Sequence, residues 1–208
     1  MPWILLHDPQ RYADIALSLV MINREGGYMP KWPFAQGPTG CMIGAHANTV
    51  IADWLLKEGY KKEDIDKNEI LDYMLRNANE RTNHDSRPDP VKYQKLKYIS
   101  AEQSSRSGCS ETLELSYNDF GISQVAKMLG EEQIKDEFLS RSKFYKNVWN
   151  PKTKFFDPRY ENGTFKEISK KERINIFSNN YVEGDAWHYR FYAPHDAEGL
   201  IQLFGGKK

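Results

Sequence analysis

The sequence predicts a mostly α-helical domain crossed by long aromatic loops, and three observations predict it. Apolar residues recur at helical spacing in several segments. Capping residues and glycine stops bracket those segments. No stretch of roughly 20–50 residues repeats, which argues against a regular solenoid. Long aromatic loops on such a scaffold suit a cleft at one end of a helical barrel.

Taken in order, Tyr12, Ile15, Ala16, Leu19 and Val20 form the first stripe. Asp8-Pro9 supplies a cap and first position, and Gly26-Gly27 a stop. Ala47, Val50, Ile51, Trp54 and Leu55 mark a second helix that ends near Gly59. Leu71, Met74, Leu75 and Ala78 mark a third, with Asp66 as its cap. Residues 80–98 are polar, contain Pro88 and Pro90, and read as a long loop. Helix signals resume at Ser110, with Ile122, Val125, Ala126 and Leu129 on one stripe before Gly130. A further helix is expected over 131–147, carrying Ile134, Phe138 and Tyr145. Residues 148–182 are extended and turn-rich, with room for a short hairpin. A last helix is expected over 196–204, closed by Gly205-Gly206.

Composition excludes several classes of function. Twenty-nine basic residues balance 29 acidic ones, so no long-range field attracts nucleic acid or an anionic membrane. No apolar run approaches the roughly 20 residues that span a bilayer, and the start of the chain is too short in its apolar part to be a secretion signal. Cys41 and Cys109 form no CxxC pair, which rules out a thiolate zinc site; two buried free thiols are the expected state. Asn162-Gly163-Thr164 is a glycosylation sequon, meaningful only in a secretory pathway. His188 and His195 are poorly placed for zinc because Pro194 breaks a helix between them.

Three segments can carry chemistry. The first runs Gly26-Gly27-Tyr28-Met29-Pro30-Lys31-Trp32-Pro33 and continues to Gly44-Ala45-His46. Lys31 offers a donor and Trp32 a stacking surface, although a loop whose tryptophan plugs the core explains the same residues. The second holds Glu114 and Asp119, which are five apart and diverge by about 140° on a helix. They make a poor acid–base couple: Asp119 suits a loop anchor, and Glu114 either an inward hydrogen-bonding group or a solvated one. The third runs Tyr181-Val182-Glu183-Gly184-Asp185-Ala186-Trp187-His188-Tyr189, followed by Pro194-His195-Asp196. A carboxyl beside Trp187 would be desolvated and kept protonated near neutral pH, as a glycosidase acid requires. The alternative is that Asp185 and Asp196 cap helices and the histidines are ordinary buried imidazoles.

Together these phrases resemble glycoside hydrolase family 92, whose known members are mostly exo-acting α-mannosidases. The matching residues are Gly26 through Pro33, Cys41-Met42-Ile43-Gly44-Ala45-His46, Thr112-Leu113-Glu114 and Glu183-Gly184-Asp185-Ala186-Trp187. Tyr145-Lys146-Asn147, Phe155 to Arg159, Pro194-His195-Asp196-Ala197-Glu198-Gly199 and Gly205-Gly206 agree as well. The order and spacing agree over nearly the whole chain, with 80–103 the vaguest part.

The resemblance implies that residues 1–208 are the central part of a catalytic (α/α)6 toroid, an incomplete helical barrel. The N-terminal β-sandwich and the C-terminal part of the toroid are not in it. It implies hydrolysis of α-mannosidic bonds with inversion, with Glu183 as general acid. Lys31, Trp32, His46, Glu114, Asp185 and Trp187 are implied as substrate-binding groups. Calcium is the implied cofactor, with most of its ligands, and the base carboxylates, outside this chain. The implied partners are a mannose-containing glycan and the remainder of the catalytic domain. The expectation is therefore an inactive piece of a longer enzyme, the alternative being a non-catalytic remnant that binds glycan or protein through its aromatic cleft. Asp185 and His188 depart from the family's usual Asn and Gln. Family members are commonly secreted or periplasmic, and any targeting signal would lie upstream of Met1.

Overall fold

The computed structural model describes residues 2–34, 37–38, 41–57, 65–81, 87–104 and 108–206. The chain is mostly helical, and it divides into two units: Met1–Arg87 with Asn118–Leu139, and Pro88–Tyr117 with Ser140–Lys208.

In the first unit, α1 (Pro2–His7) leads into α2 (Pro9–Gly26), and α2 packs on both α1 and α3 (His46–Leu56). Asp8 caps α2 by accepting from the Arg11 amide at 3.0 Å. Gly27 ends it at φ 77°, a left-handed conformation that costs glycine little. Strand β1 (Pro33–Phe34) pairs antiparallel with β2 (Gly37–Pro38). Helix α4 (Lys67–Asn79) starts at Asp66, which accepts from the Asn68 amide at 2.8 Å. The stripes read from the sequence face inward: Tyr12, Ala16, Ile51, Leu71, Met74 and Val125 are buried in one largely aliphatic core. The stop expected near Gly59 lies outside the described residues.

The second unit corrects two expectations. The polar stretch read as loop contains α5 (Pro90–Leu96), capped by Asp89 through the Lys92 amide at 3.1 Å. Asp89-Pro90 is the same start signal as Asp8-Pro9; the polar neighbours hid it because α5 buries only Pro90 and Tyr93. The helix expected over 131–147 is α7 (Glu132–Arg141), and a 3-10 turn (Phe144–Val148) takes over. That turn buries Phe144, Tyr145 and Val148.

The expected short hairpin is present, β3 (Trp149–Asn150) against β4 (Phe155–Phe156), with Trp149 opposite Phe156. Then come α8 (Ala186–Tyr189), which packs on β4 and on a 3-10 turn (Glu172–Ile174), and α9 (Ala197–Leu203). This core is built from rings, among them Tyr98, Tyr145, Trp149, Phe156 and Tyr181. The longest helix, α6 (Gly108–Leu129), contributes residues to both units. Neither cysteine forms a disulfide, and Cys41 is exposed, so the expectation of two buried thiols holds for Cys109 alone. Among the described residues no helix is long and apolar enough to cross a membrane.

Candidate active site

In the second unit the segment that carries Glu183 is held at several points. Val182 donates its amide to Ser110 Oγ at 3.3 Å and accepts the Tyr189 hydroxyl at 2.7 Å. Glu183 follows at φ 46°, left-handed backbone that a non-glycine residue rarely adopts. Such strain persists where the surroundings impose it, and it clusters at functional positions. Glu183 is exposed in this chain rather than shielded beside Trp187. Gly184 leaves room for Tyr189, whose Cε2 would lie 3.1 Å from an added Cβ.

Asp185 caps α8. Its Oδ1 accepts from the Trp187 amide at 2.9 Å, the His188 amide at 3.1 Å and lies 2.8 Å from His188 Nδ1. Burial works against the charged form, but these bonds outweigh it and lower the Asp185 pKa. Asp185 is thus occupied with the helix start, the capping role that the sequence offered as its alternative. Trp187 is half-exposed, edge-on to Phe155 at 5.0 Å and overlain by Arg190 at 4.7 Å.

Ser110, Glu114 and Tyr117 lie on one stripe of α6, and each touches this segment or the loop after it. Ser110 holds Val182, Glu114 bonds Tyr192, and Tyr117 meets the edge of Tyr192 at 6.5 Å and stacks on His195 at 5.9 Å. Glu114 is buried. Burial is the larger influence on its carboxyl and the Tyr192 hydrogen bond opposes it, leaving the pKa raised to about 7. Burial also pushes the phenols up, Tyr189 to about 12 with help from the Glu114 charge, and Tyr192 well above its ordinary value. The inward reading of Glu114 is the one observed.

His195 is half-buried, and Asp196 takes the helix-capping role. His195 Nε2 lies 2.8 Å from the Ser142 carbonyl and therefore carries a proton there. Asp196 caps α9 through the Gly199 amide at 3.1 Å and meets Lys143 Nζ at 2.9 Å. Burial opposes ionisation, but Lys143, Tyr145 and the Gly199 amide hold the carboxyl at about 2.

The other predicted residues lie in the first unit. Trp32 is exposed rather than plugging the core, and Lys31 is partly exposed. His46 opens α3 and keeps an exposed edge, while surrounding protein and the Lys31 ammonium hold its pKa below the ordinary value. Sequence reasoning missed Asn118. Fully buried, it donates to Thr49 Oγ1 at 2.8 Å, accepts the Ala45 amide at 2.6 Å and lies 3.2 Å from His46 Nδ1. That geometry leaves Nδ1 as acceptor and the proton of neutral His46 on Nε2. The signal available was a polar residue on the apolar face of a long helix. Its neighbour Asp119 pairs with Arg87 at 2.7 Å, both fully buried, as expected of an anchor.

All 208 residues match the model of the glycosyl hydrolase family 92 catalytic domain. The chain belongs to glycoside hydrolase family 92. It is similar in structure to the family GH92 inverting mannosidase BT2199 from Bacteroides thetaiotaomicron, with a TM-score of 0.85 and 26% identity over 95% of this chain and 26% of that one. The GH92 α-mannosidase BT3965 of the same organism also scores 0.85, at 29% identity over 98% of this chain and 26% of that one. BT3965 has also been solved in complex with mannoimidazole. A protein of Arthroderma benhamiae described as an uncharacterized secreted glycosidase is 24% identical over 98% of this chain and 30% of its own length. The chain thus spans between a quarter and a third of the length of these relatives.

Proposed function

We propose that the protein carrying this chain is an exo-acting α-mannosidase that cleaves mannose-rich N-glycans or similar mannans with inversion. Glu183 is its general acid. The observation that carries this reading is the Glu183 backbone: left-handed, exposed at the side chain and fixed on the Val182 side by Ser110 and Tyr189. In this role Glu183 gives its proton to the leaving glycosidic oxygen while water attacks the opposite face, activated by a second carboxylate roughly 6.5–9.5 Å away. That base belongs to the part of the enzyme outside these residues, which form the central part of an (α/α)6 toroid. Lys31, Trp32 and His46 are proposed sugar-binding groups, as are Asp185 and Trp187. Calcium belongs to the proposal through the family. Most of its ligands, like the base, are assigned to the part of the enzyme outside these residues.

In the complete enzyme, Glu183→Gln should lower kcat on a disaccharide α-mannoside by on the order of 10²–10⁴-fold with little change in binding. A dinitrophenyl mannoside, whose leaving group needs no proton, should lose far less. Wild-type turnover of the disaccharide by the variant removes Glu183 from the role. The alternative of a glycan-binding remnant draws on half-exposed Trp32 and Trp187; binding of mannosides by the intact protein without any turnover would favour it.

A further inference from the structure

Glu183, at φ 46°, stands between two neighbours that are each held by other side chains. Before it, Val182 gives its amide to Ser110 Oγ and accepts the Tyr189 hydroxyl. After it, the contacts come from the first turn of α8. His188 Nδ1 lies 2.8 Å from Asp185 Oδ1 and 3.3 Å from the Asp185 amide, while Oδ1 takes the Trp187 and His188 amides. Each side chain of the pair thus serves the other's backbone, a reciprocal cap. The same imidazole covers Gly184: a Cβ added there would lie 3.4 Å from His188 Cβ, 3.6 Å from its Cγ and 3.1 Å from Tyr189 Cε2. The residue after Glu183 is therefore flanked by His188 and Tyr189, and the one after that is bonded to His188.

We propose that His188, locked to Asp185, is a positioning residue for the general acid: it holds the Gly184 side of Glu183 and completes the clamp that keeps this residue left-handed. This rests on the reading of Glu183 as the acid. Left-handed backbone is unfavourable for a residue with a Cβ and persists only where its surroundings impose it. Anchoring Val182 alone leaves the chain free to swing about the N–Cα and Cα–C bonds of Glu183. Anchoring Gly184 and Asp185 as well removes that freedom. The acid works only when its proton is aimed at the leaving oxygen, and a misplacement of about 1 Å can cost on the order of 100-fold in rate. The His188 side chain is 64% exposed, so removing it opens no cavity in the core; what is lost is the cap and the cover over Gly184.

In the complete enzyme, a disaccharide α-mannoside needs a proton on its leaving oxygen and a dinitrophenyl mannoside does not. His188→Ala should lower kcat on the disaccharide roughly 10–100-fold and on the dinitrophenyl mannoside far less. A residue that only stabilised the fold would lower both together. His188→Gln keeps a capping-box residue at that position and should restore most of the disaccharide turnover. Asp185→Ala combined with His188→Ala should cost no more than the worse single change, because the two side chains act as one unit. Hydrogen–deuterium exchange over residues 183–188 reads the clamp without turnover: His188→Ala should speed it roughly tenfold or more and leave the rest of the chain unchanged. If Glu183→Gln treats the two substrates alike, it is the acid assignment that fails; unchanged exchange over 183–188 in His188→Ala is a failure of the clamp itself. Equal loss on both substrates in His188→Ala, a His188→Gln variant no better than it, or additive effects of the two alanine changes also overturn the inference.

Discussion

The first unit is held by aliphatic side chains such as Val20, Ile51, Ile70 and Met74, and the second by rings that carry hydroxyls, such as Tyr98, Tyr145 and Tyr181. An aliphatic core has few polar atoms to satisfy, and the first unit buries an ion pair, Arg87 with Asp119 at 2.7 Å. A phenolic core brings a donor with every ring, and each donor must reach an acceptor. In the second unit the acceptors are carboxylates and carbonyls: Tyr145 on Asp196, Tyr192 on Glu114, Tyr181 on the Phe156 carbonyl and Tyr189 on the Val182 carbonyl. The ring-built core therefore perturbs its carboxylates in both directions, Glu114 up to about 7 and Asp196 down to about 2. Burial alone raises a carboxyl; a lysine and two hydrogen-bond donors turn the same burial into a lowered one.

The comparison can be broken most sharply at Arg87. Arg87→Met leaves Asp119 buried without its cation and should cost about 3–5 kcal/mol in urea unfolding, whereas Arg87→Met with Asp119→Leu should recover most of that. A double variant as unstable as the single one would show that the unpaired Asp119 carboxylate is not what destabilises Arg87→Met. Next is Glu114. Its native pKa exceeds the unfolded one, so stability falls as pH rises from about 4.5 to about 7. Glu114→Gln should be stabilising by about 3 kcal/mol at pH 8 relative to its effect at pH 4; equal effects at the two pH values would contradict the raised pKa.

Asp196 runs the other way. Its native pKa lies below the unfolded 3.8, so its contribution of about 2 kcal/mol is present above about pH 4 and disappears as pH falls through about 2. Asp196→Asn should flatten that acid limb in a denaturation series, and Gly199→Ala should weaken the same site, because an added Cβ strikes the Asp196 carboxylate and the Tyr145 hydroxyl. The smallest effect belongs to the caps of the first unit. Asp66→Ala should cost about 1 kcal/mol in urea unfolding.

Local signals were legible. Aspartates 8, 66 and 196 are legible as helix caps, Gly27 as a stop and a short hairpin somewhere within 148–182, since each depends on residues a few positions away. Asp89-Pro90 carried the same information and was outweighed by polar neighbours, because α5 buries little. Capping residues announce a helix even where the apolar stripe is thin.

Helical spacing also determined that Glu114 and Asp119 diverge on α6, and the motif phrases pointed to family 92. Which of the two carboxylates would stay close to an arginine and which would meet a phenol was decided by tertiary structure, since Arg87 and Tyr192 lie 32 and 78 residues away along the chain from their partners. The same holds for Glu183. Its place in the sequence suggested an acid shielded by Trp187, but the backbone bonds from Ser110 and Tyr189 and the left-handed turn at Glu183 itself leave it exposed. Burial is a sum over neighbours brought in from distant segments, and a carboxyl's pKa follows that sum rather than the residues beside it in sequence.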